Sequence, residues 1–395
     1  MDFTNLKKFI DKVVNEYHSP IVDCMIYREH EPIFRYFAGV RDIESGKPAD
    51  GNEQYFIFSM TKMLTCVCAL QLLEQGKYLL SDPVSMYLPE FSQMKITADK
   101  LDNEIARRIE AGEVIGGGIE VKNDGYAKTP ITIKHLFTMT AGLDYDLESE
   151  SIKKALSEGR TTTRELVRAI SETVLGFEPG TRFRYSLCHD VLGALIEVWS
   201  GKSFGEYMKE NIFDKLGMTD TFFGEPKDEK TRSRMPSRYI YDENGMPQLL
   251  TLECAYNLSD EYESGGAGLI STVEDYALFL DAIASGGVGK TGNRILSESS
   301  IKLLQTNQIS GKAAEDFDDW HPGYGYGLGV RTHMAPEKSG MLSPVGEFGW
   351  GGAAGAFSLA DPKNKLSVTF FQHIHAANPR VRAELRNVVY GCLEK

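Results

Sequence analysis

A serine three residues before a lysine can make a nucleophile without a histidine. The stretch Phe56-Ile-Phe-Ser-Met-Thr-Lys-Met-Leu-Thr-Cys-Val-Cys-Ala-Leu70 places such a pair, Ser59 and Lys62, at the start of a long apolar segment. Positions i and i+3 share one helix face. An amine in apolar surroundings is disfavoured as a cation, so Lys62 can accept or relay the serine proton. Ser-x-x-Lys occurs at four places, beginning at Ser59, Ser92, Ser151 and Ser299, and context separates them. Only Ser59 opens a helix that is apolar on most sides, Met60 to Leu73, ending at Gly76. A helix of that composition is buried. The competing explanation is that Ser59 caps the helix and Lys62 reaches out to solvent.

Two further clusters could serve the same chemistry. Glu178-Pro-Gly marks a turn, and the helix predicted over Val191–Ser200 begins soon after, so Tyr185 sits on a short approach between them. A tyrosine beside a lysine loses its proton more easily and can act as general base or relay; it can equally be a packed core residue. Glu347-Phe-Gly-Trp350-Gly-Gly-Ala-Ala-Gly355 reads as a strand whose glycines permit close approach of backbone or ligand. An edge there could offer a backbone N–H to an oxyanion, with Trp350 as a pocket wall. Other patterns lack the required context. Lys290-Thr-Gly292 lies in a loop after a helix, Gly201-Lys-Ser-Phe-Gly205 has no preceding strand, and His373 and His375 have no carboxylate partners for a metal.

The elements that must position these residues follow from periodicity. Ile21–Arg28 and Ile33–Val40 read as a hairpin; Gly323–Arg331, Phe348–Ala360 and Leu366–Gln372 are strand-like; Arg380–Leu393 reads as a closing helix. Between them lie helical patterns at Ile133–Met139, Thr163–Val174, Val191–Ser200, Phe204–Leu216 and Val273–Ala284. The expected fold is α/β (α+β): an antiparallel sheet flanked by helices, built from residues 1–80 and 265–395, with a mainly helical domain over 81–264. Within the latter, 96–129 reads as a long loop insert with a charged patch and three consecutive glycines.

Ser59-Met-Thr-Lys62, Tyr185-Ser-Leu187 and Trp350-Gly-Gly352, in this order, resemble the serine hydrolases of the β-lactamase and penicillin-binding superfamily, and most of all the class C-like family VIII carboxylesterases. Flanking segments Thr132–Leu143, Gly265–Thr272 and Tyr324–Gly329 match as well, and the resemblance extends over most of the chain outside 96–129. It implies Ser59 as nucleophile, Lys62 and Tyr185 as acid–base pair, an oxyanion hole from the backbone N–H groups of Ser59 and Ala353, and a substrate crevice bordered by Leu187, Trp350, Gly351 and Gly352. No metal or organic cofactor is required. Two positions depart from the β-lactamases: Leu187 replaces an asparagine, and Trp350 replaces a basic residue or histidine. Losing a charge-assisted contact to a carboxylate weakens recognition by about 1.5–3 kcal/mol. Both changes favour an ester with an apolar part over a β-lactam or D-Ala-D-Ala peptide. An acyltransferase on the same scaffold, a D-aminopeptidase or weak β-lactamase, and a non-enzymatic sensor remain as rivals.

Composition bounds the partners. At 395 residues, 42% hydrophobic and 25% charged, the chain can bury a large core. A net charge of −13 without a basic cluster argues against nucleic acid. The start, Met1 to Ile10, has an amphipathic helix pattern and no apolar run reaches membrane-spanning length, so the expectation is a cytoplasmic protein acting on a small-molecule ester or amide. Six cysteines without metal spacing read as free thiols, with Cys188 near enough to Tyr185 in sequence to feel thiol reagents. Oligomeric state leaves no mark in the sequence.

Overall fold

The computed structural model describes residues 1–97, 125–251 and 254–393. Its main sheet has eight antiparallel strands: β1 (Ile21–Arg28), β2 (Glu31–Asp42), β3 (Lys47–Pro48), β4 (Tyr324–Tyr326), β5 (Arg331–His333), β6 (Phe348–Gly349), β7 (Phe357–Asp361) and β8 (Leu366–Phe371). They are ordered β4-β5-β6-β7-β8-β1-β2-β3. The two ends of the chain therefore meet in the middle of the sheet, with Asp23 opposite Phe371 and Arg28 opposite Leu366. Five helices frame the site: α1 (Thr4–Asn15), α2 (Thr61–Glu74), α3 (Cys188–Ser200), α4 (Val273–Ala284) and α5 (Pro379–Leu393).

Both faces of β1 are buried, and its alternation divides two cores. Val22, Cys24 and Ile26 join Leu6, Ile10 and Val13 of α1 and Val381, Leu385 and Val389 of α5. Ile21, Met25 and Tyr27 face the larger core, which holds α2, α3 and α4. There α2 is apolar all round: Leu64, Val67 and Leu70 are fully buried, each contributing about 1.5–3 kcal/mol. No helix among the described residues is long and apolar enough to cross a membrane.

Several expected elements differ. The run Phe348–Ala360 is not one strand: β6 ends at Gly349, and a turn closed by Gly355 N–H to the Gly352 carbonyl precedes β7. Gly355 has φ of +82°, which only glycine adopts readily. Gly323–Arg331 likewise divides into β4 and β5, with Gly327 N–H bonded to the Val330 carbonyl. The helix expected over Thr163–Val174 stops at Ile170, and Val174–Leu175 instead pairs in parallel with Lys95–Ile96. Phe204–Leu216 is helical but passes through a π turn at Lys209–Phe213. The 96–129 insert lies largely outside the described residues; its edges Lys95–Ile96 and Gly125–Tyr126 pair antiparallel.

The cores also hold neutral imidazoles. Burial lowers His135 to about 4 and holds His189 well below the ordinary histidine value. His373 is lowered to about 3 by burial and the nearby Arg238 charge. Each is uncharged when folded and takes up a proton on unfolding below its ordinary value of 6.5. Their stabilisation is intact above that pH and is lost as the pH falls toward the folded values. Urea unfolding should therefore weaken between about pH 7 and about pH 5, each histidine adding a slope of up to ~1.4 kcal/mol per unit, less for part-exposed His135. Burial lifts the Asp23 carboxyl to about 7, which acts in the opposite direction. The readout is therefore the slope lost in His373→Gln; an unchanged slope would show that this ring is not desolvated.

Candidate active site

Ser59 lies in a 3-10 turn, Phe58–Met60, directly before α2. Phe58 has φ of +45°, an unfavourable conformation for a bulky residue that costs about 1–3 kcal/mol. Its ring is held against Phe56, Tyr256 and His375, which offsets that strain and fixes the turn. The Ser59 side chain makes no cap to the helix, so the capping explanation of the serine does not describe this turn. Lys62 does not reach solvent either: it is fully buried.

The Lys62 Nζ is 3.4 Å from Ser59 Oγ, 3.4 Å from Tyr145 Oη and 2.8 Å from the Gly266 carbonyl. It sits 4.5 Å above the Tyr185 ring centre and 5.1 Å from that of Tyr145. The two phenol rings are stacked, with centroids 5.5 Å apart. Tyr185 is 1% exposed, and its Oη accepts the Trp350 indole N–H at 3.3 Å. Trp350 thus gives the phenol oxygen a donor without adding a charge. Burial keeps the Tyr145 phenol well above its usual range, so it stays protonated.

A buried carboxylate accompanies the amine. Asp190, in the first turn of α3, accepts hydrogen bonds from Tyr262 Oη and Ser264 Oγ, both at 2.6 Å. Its other oxygen has no hydrogen-bond partner among the described residues. A Cβ on Gly266 would lie 2.6 Å from that oxygen, 3.1 Å from Tyr145 Oη and 3.4 Å from Lys62 Nζ. Only glycine lets this backbone pass between the three groups.

On the other side of Ser59, the turn after β6 approaches the nucleophile's backbone. A Cβ on Gly352 would lie 2.4 Å from the Ile57 carbonyl oxygen, so glycine is required there too. Arg382 of α5 donates to the Gly352 carbonyl at 2.9 Å and holds the turn in place. Ala353 is 5% exposed in a small core with Phe56 and Phe58. Leu187 precedes α3 and packs in the main core, 2% exposed. Gly351 stands between Trp350 and this turn, against the Arg382 guanidinium.

The structure therefore brings Ser59, Lys62, Tyr185 and Trp350 together and sets the Gly351–Ala353 turn beside them. The alternative Ser-x-x-Lys pairs do not share this surrounding: Ser151 and Ser299 lie on other helices and Ser92 ends a short 3-10 turn. Ser203 caps its helix, accepting the Glu206 N–H. Cys188 is fully buried, with its thiol pushed up to about 12 by burial, so the expected sensitivity to thiol reagents is corrected. No metal-holding group of histidine, cysteine and acidic residues occurs among the described residues.

Sequence reasoning missed Tyr145, Asp190 and Gly266 as neighbours of Lys62. Asp190 reads locally as an acid favoured at a helix start. The glycine-rich run Gly265–Gly268 and the Asp144-Tyr145 pair after Leu143 were the available signals.

A family model described as Beta-lactamase matches residues 6–391. The chain belongs to the beta-lactamase family. Among curated relatives of this family member, Protein Rv1367c of Mycobacterium tuberculosis (strain ATCC 25618 / H37Rv) is 28% identical over 346 residues, covering 85% of this chain and 81% of the relative. Esterase EstB of Burkholderia gladioli is 25% identical over 398 residues, covering 93% and 90%. Among solved structures, EstCE1, described as a hydrolase with promiscuous acyltransferase activity, superposes with a TM-score of 0.78 at 24% identity, covering 98% of each chain. That likeness shows the same mixed α/β fold.

Proposed function

We propose that this beta-lactamase family member is a serine hydrolase that cleaves an ester through an acyl-enzyme on Ser59. The observation that carries this reading is a buried amine 3.4 Å from the Ser59 oxygen, set over a phenol ring. The esterase among its relatives supports the ester as substrate class. Ser59 Oγ attacks the carbonyl carbon, and its proton passes to the Lys62/Tyr185 pair. The oxyanion is received by the N–H groups of Ser59 and Ala353. The bond to the alcohol oxygen then breaks, and the alcohol leaves with a proton from the same pair. Water adds to the acyl carbon, gives its proton to the pair, and the acid departs as Ser59 regains a proton. The two groups titrate as a unit, so neither alone is the base. These steps use no metal or organic cofactor.

Leu187 and Trp350, both apolar and uncharged where β-lactamases carry polar groups, support an ester with an apolar part. Buried cysteines held as thiols, Cys24, Cys66, Cys68 and Cys188 among them, suit a reducing, cytoplasmic setting. A second reading, transfer of the acyl group to an alcohol instead of water, is favoured by the acyltransferase activity named for EstCE1.

Intact mass spectrometry after brief exposure to p-nitrophenyl butyrate should reveal one butyryl group, mapped to Ser59 by peptide analysis. Nitrocefin should give slower turnover than the ester. Added alcohol that diverts the acyl group into a new ester marks the transferase reading. Neither an adduct nor p-nitrophenol release would overturn the hydrolase reading.

A further inference from the structure

A cavity of about 620 Å3 lies between the β4–β7 edge of the sheet, the start of α5 and the segment around residues 320–341. It shares Trp350, Gly351 and Ala353 with the candidate active site, but Ser59, Lys62 and Tyr185 do not line it. Four cationic side chains do, Arg331, Lys338, Arg382 and Arg386, with no acidic side chain among the described lining residues. In a chain of net charge −13, this is a concentrated positive site.

Arg331 and Arg386 share a single carboxylate. Glu347, fully buried behind the cavity, lies 2.8 Å from Arg331 and 3.5 Å from Arg386. Lys338 pairs with Asp318 at the rim. Arg331 is 4% exposed, and its Nε and Nη1 have no hydrogen-bond partner among the described residues; neither has Tyr324 Oη. Buried donors left unmatched are costly, more so on a charged group. Burial, with the neighbouring Arg386 charge, pulls Arg331 down to about 10, still cationic at neutral pH. Both guanidiniums lie over the Phe357 ring, at 4.7 and 4.4 Å from its centre. Trp320, Met341 and Ala383 add apolar wall, beside the polar His321 and Ser339.

We infer that this cavity binds an organic carboxylate with an apolar body, its oxygens received by Arg331, Arg386 and the Tyr324 hydroxyl. A planar guanidinium matches a carboxylate with two parallel hydrogen bonds, and the apolar walls take the rest of the molecule. On the hydrolase reading, such an anion has two sources: a free carboxylate carried by the substrate, or the acid released on hydrolysis. Binding itself can be tested without that reading.

The experiment titrates 4-phenylbutyrate and the neutral 4-phenylbutanol into the Ser59→Ala protein by calorimetry. The carboxylate should bind at least ~10-fold more tightly than the alcohol, and Arg331→Met or Arg386→Met should remove that preference. Should either arginine variant fail to fold, Tyr324→Phe keeps the ring and should still weaken the carboxylate several-fold while leaving the alcohol unchanged. Equal binding of the two compounds, no binding of either, or full carboxylate affinity in the variants overturns the inference. Kinetics with the active enzyme separates the sources. Competitive inhibition by 4-phenylbutyrate, with preference for the p-nitrophenyl hemiester of glutaric acid over p-nitrophenyl butyrate, assigns the cavity to the substrate's carboxylate. Noncompetitive inhibition assigns it to released acid. No ester turnover by the wild-type protein, with carboxylate binding retained, would reject the hydrolase reading alone.

Discussion

Ser59→Ala should keep its fold and lose ester turnover by at least ~10⁴-fold. Removing a nucleophile eliminates the acyl intermediate, and what persists is whatever water gains from binding and oxyanion contacts. The fold should survive because the hydroxyl caps nothing: the turn and α2 begin without a side-chain hydrogen bond from it. Its partner is Lys62, which retains the Gly266 carbonyl and Tyr145. The stability change should stay within about 1 kcal/mol, the net worth of one hydrogen bond. Initial rates on p-nitrophenyl butyrate and urea unfolding check the two halves separately. Turnover near the wild-type rate would remove Ser59 from the chemistry.

Lys62→Met should lower turnover by about 10²–10⁴, the span expected for losing acid–base assistance, while barely changing stability. Methionine fills a similar volume and keeps the apolar contacts of α2. Two effects on stability oppose each other. The Gly266 carbonyl loses its 2.8 Å donor. Against this, a fully buried amine no longer has to be desolvated. Unchanged rates on p-nitrophenyl butyrate would exclude the amine from proton transfer. A large stability loss with Lys62→Met, beyond ~3 kcal/mol, would show instead that the amine's main role is to hold Gly266 and Asp190 in place.

Both expectations rest on contacts that differ in how legible they were. Lys62 and Ser59 are one helical turn apart, so their proximity follows from local geometry once α2 forms. The burial of α2 is also written locally, in apolar residues on every face. The order of the motifs around Ser59, Tyr185 and Trp350 made the mixed α/β fold readable, because a family is recognised by ordered motifs.

What only the tertiary structure decided are pairings between distant segments. Tyr145 and Gly266 reach Lys62 across 83 and 204 positions. The Trp350 indole reaches Tyr185 across 165. Nothing in the spacing around those residues encodes such approaches; they arise when several elements pack at once. Asp190 looked like a solvated helix-start acid and became a buried neighbour of an amine. Phe348–Ala360 alternated like one strand, yet its glycines were needed for a turn against Ile57. Arg331 and Arg386, 55 positions apart by their numbers in the sequence, belong to a strand-like run and to the closing helix, and nothing local links them. They became a paired anion receptor because β5 and α5 leave a cavity between them. Local pattern determines which face of an element is apolar; long-range packing determines which polar groups that face traps together, and there the chemistry of this protein resides.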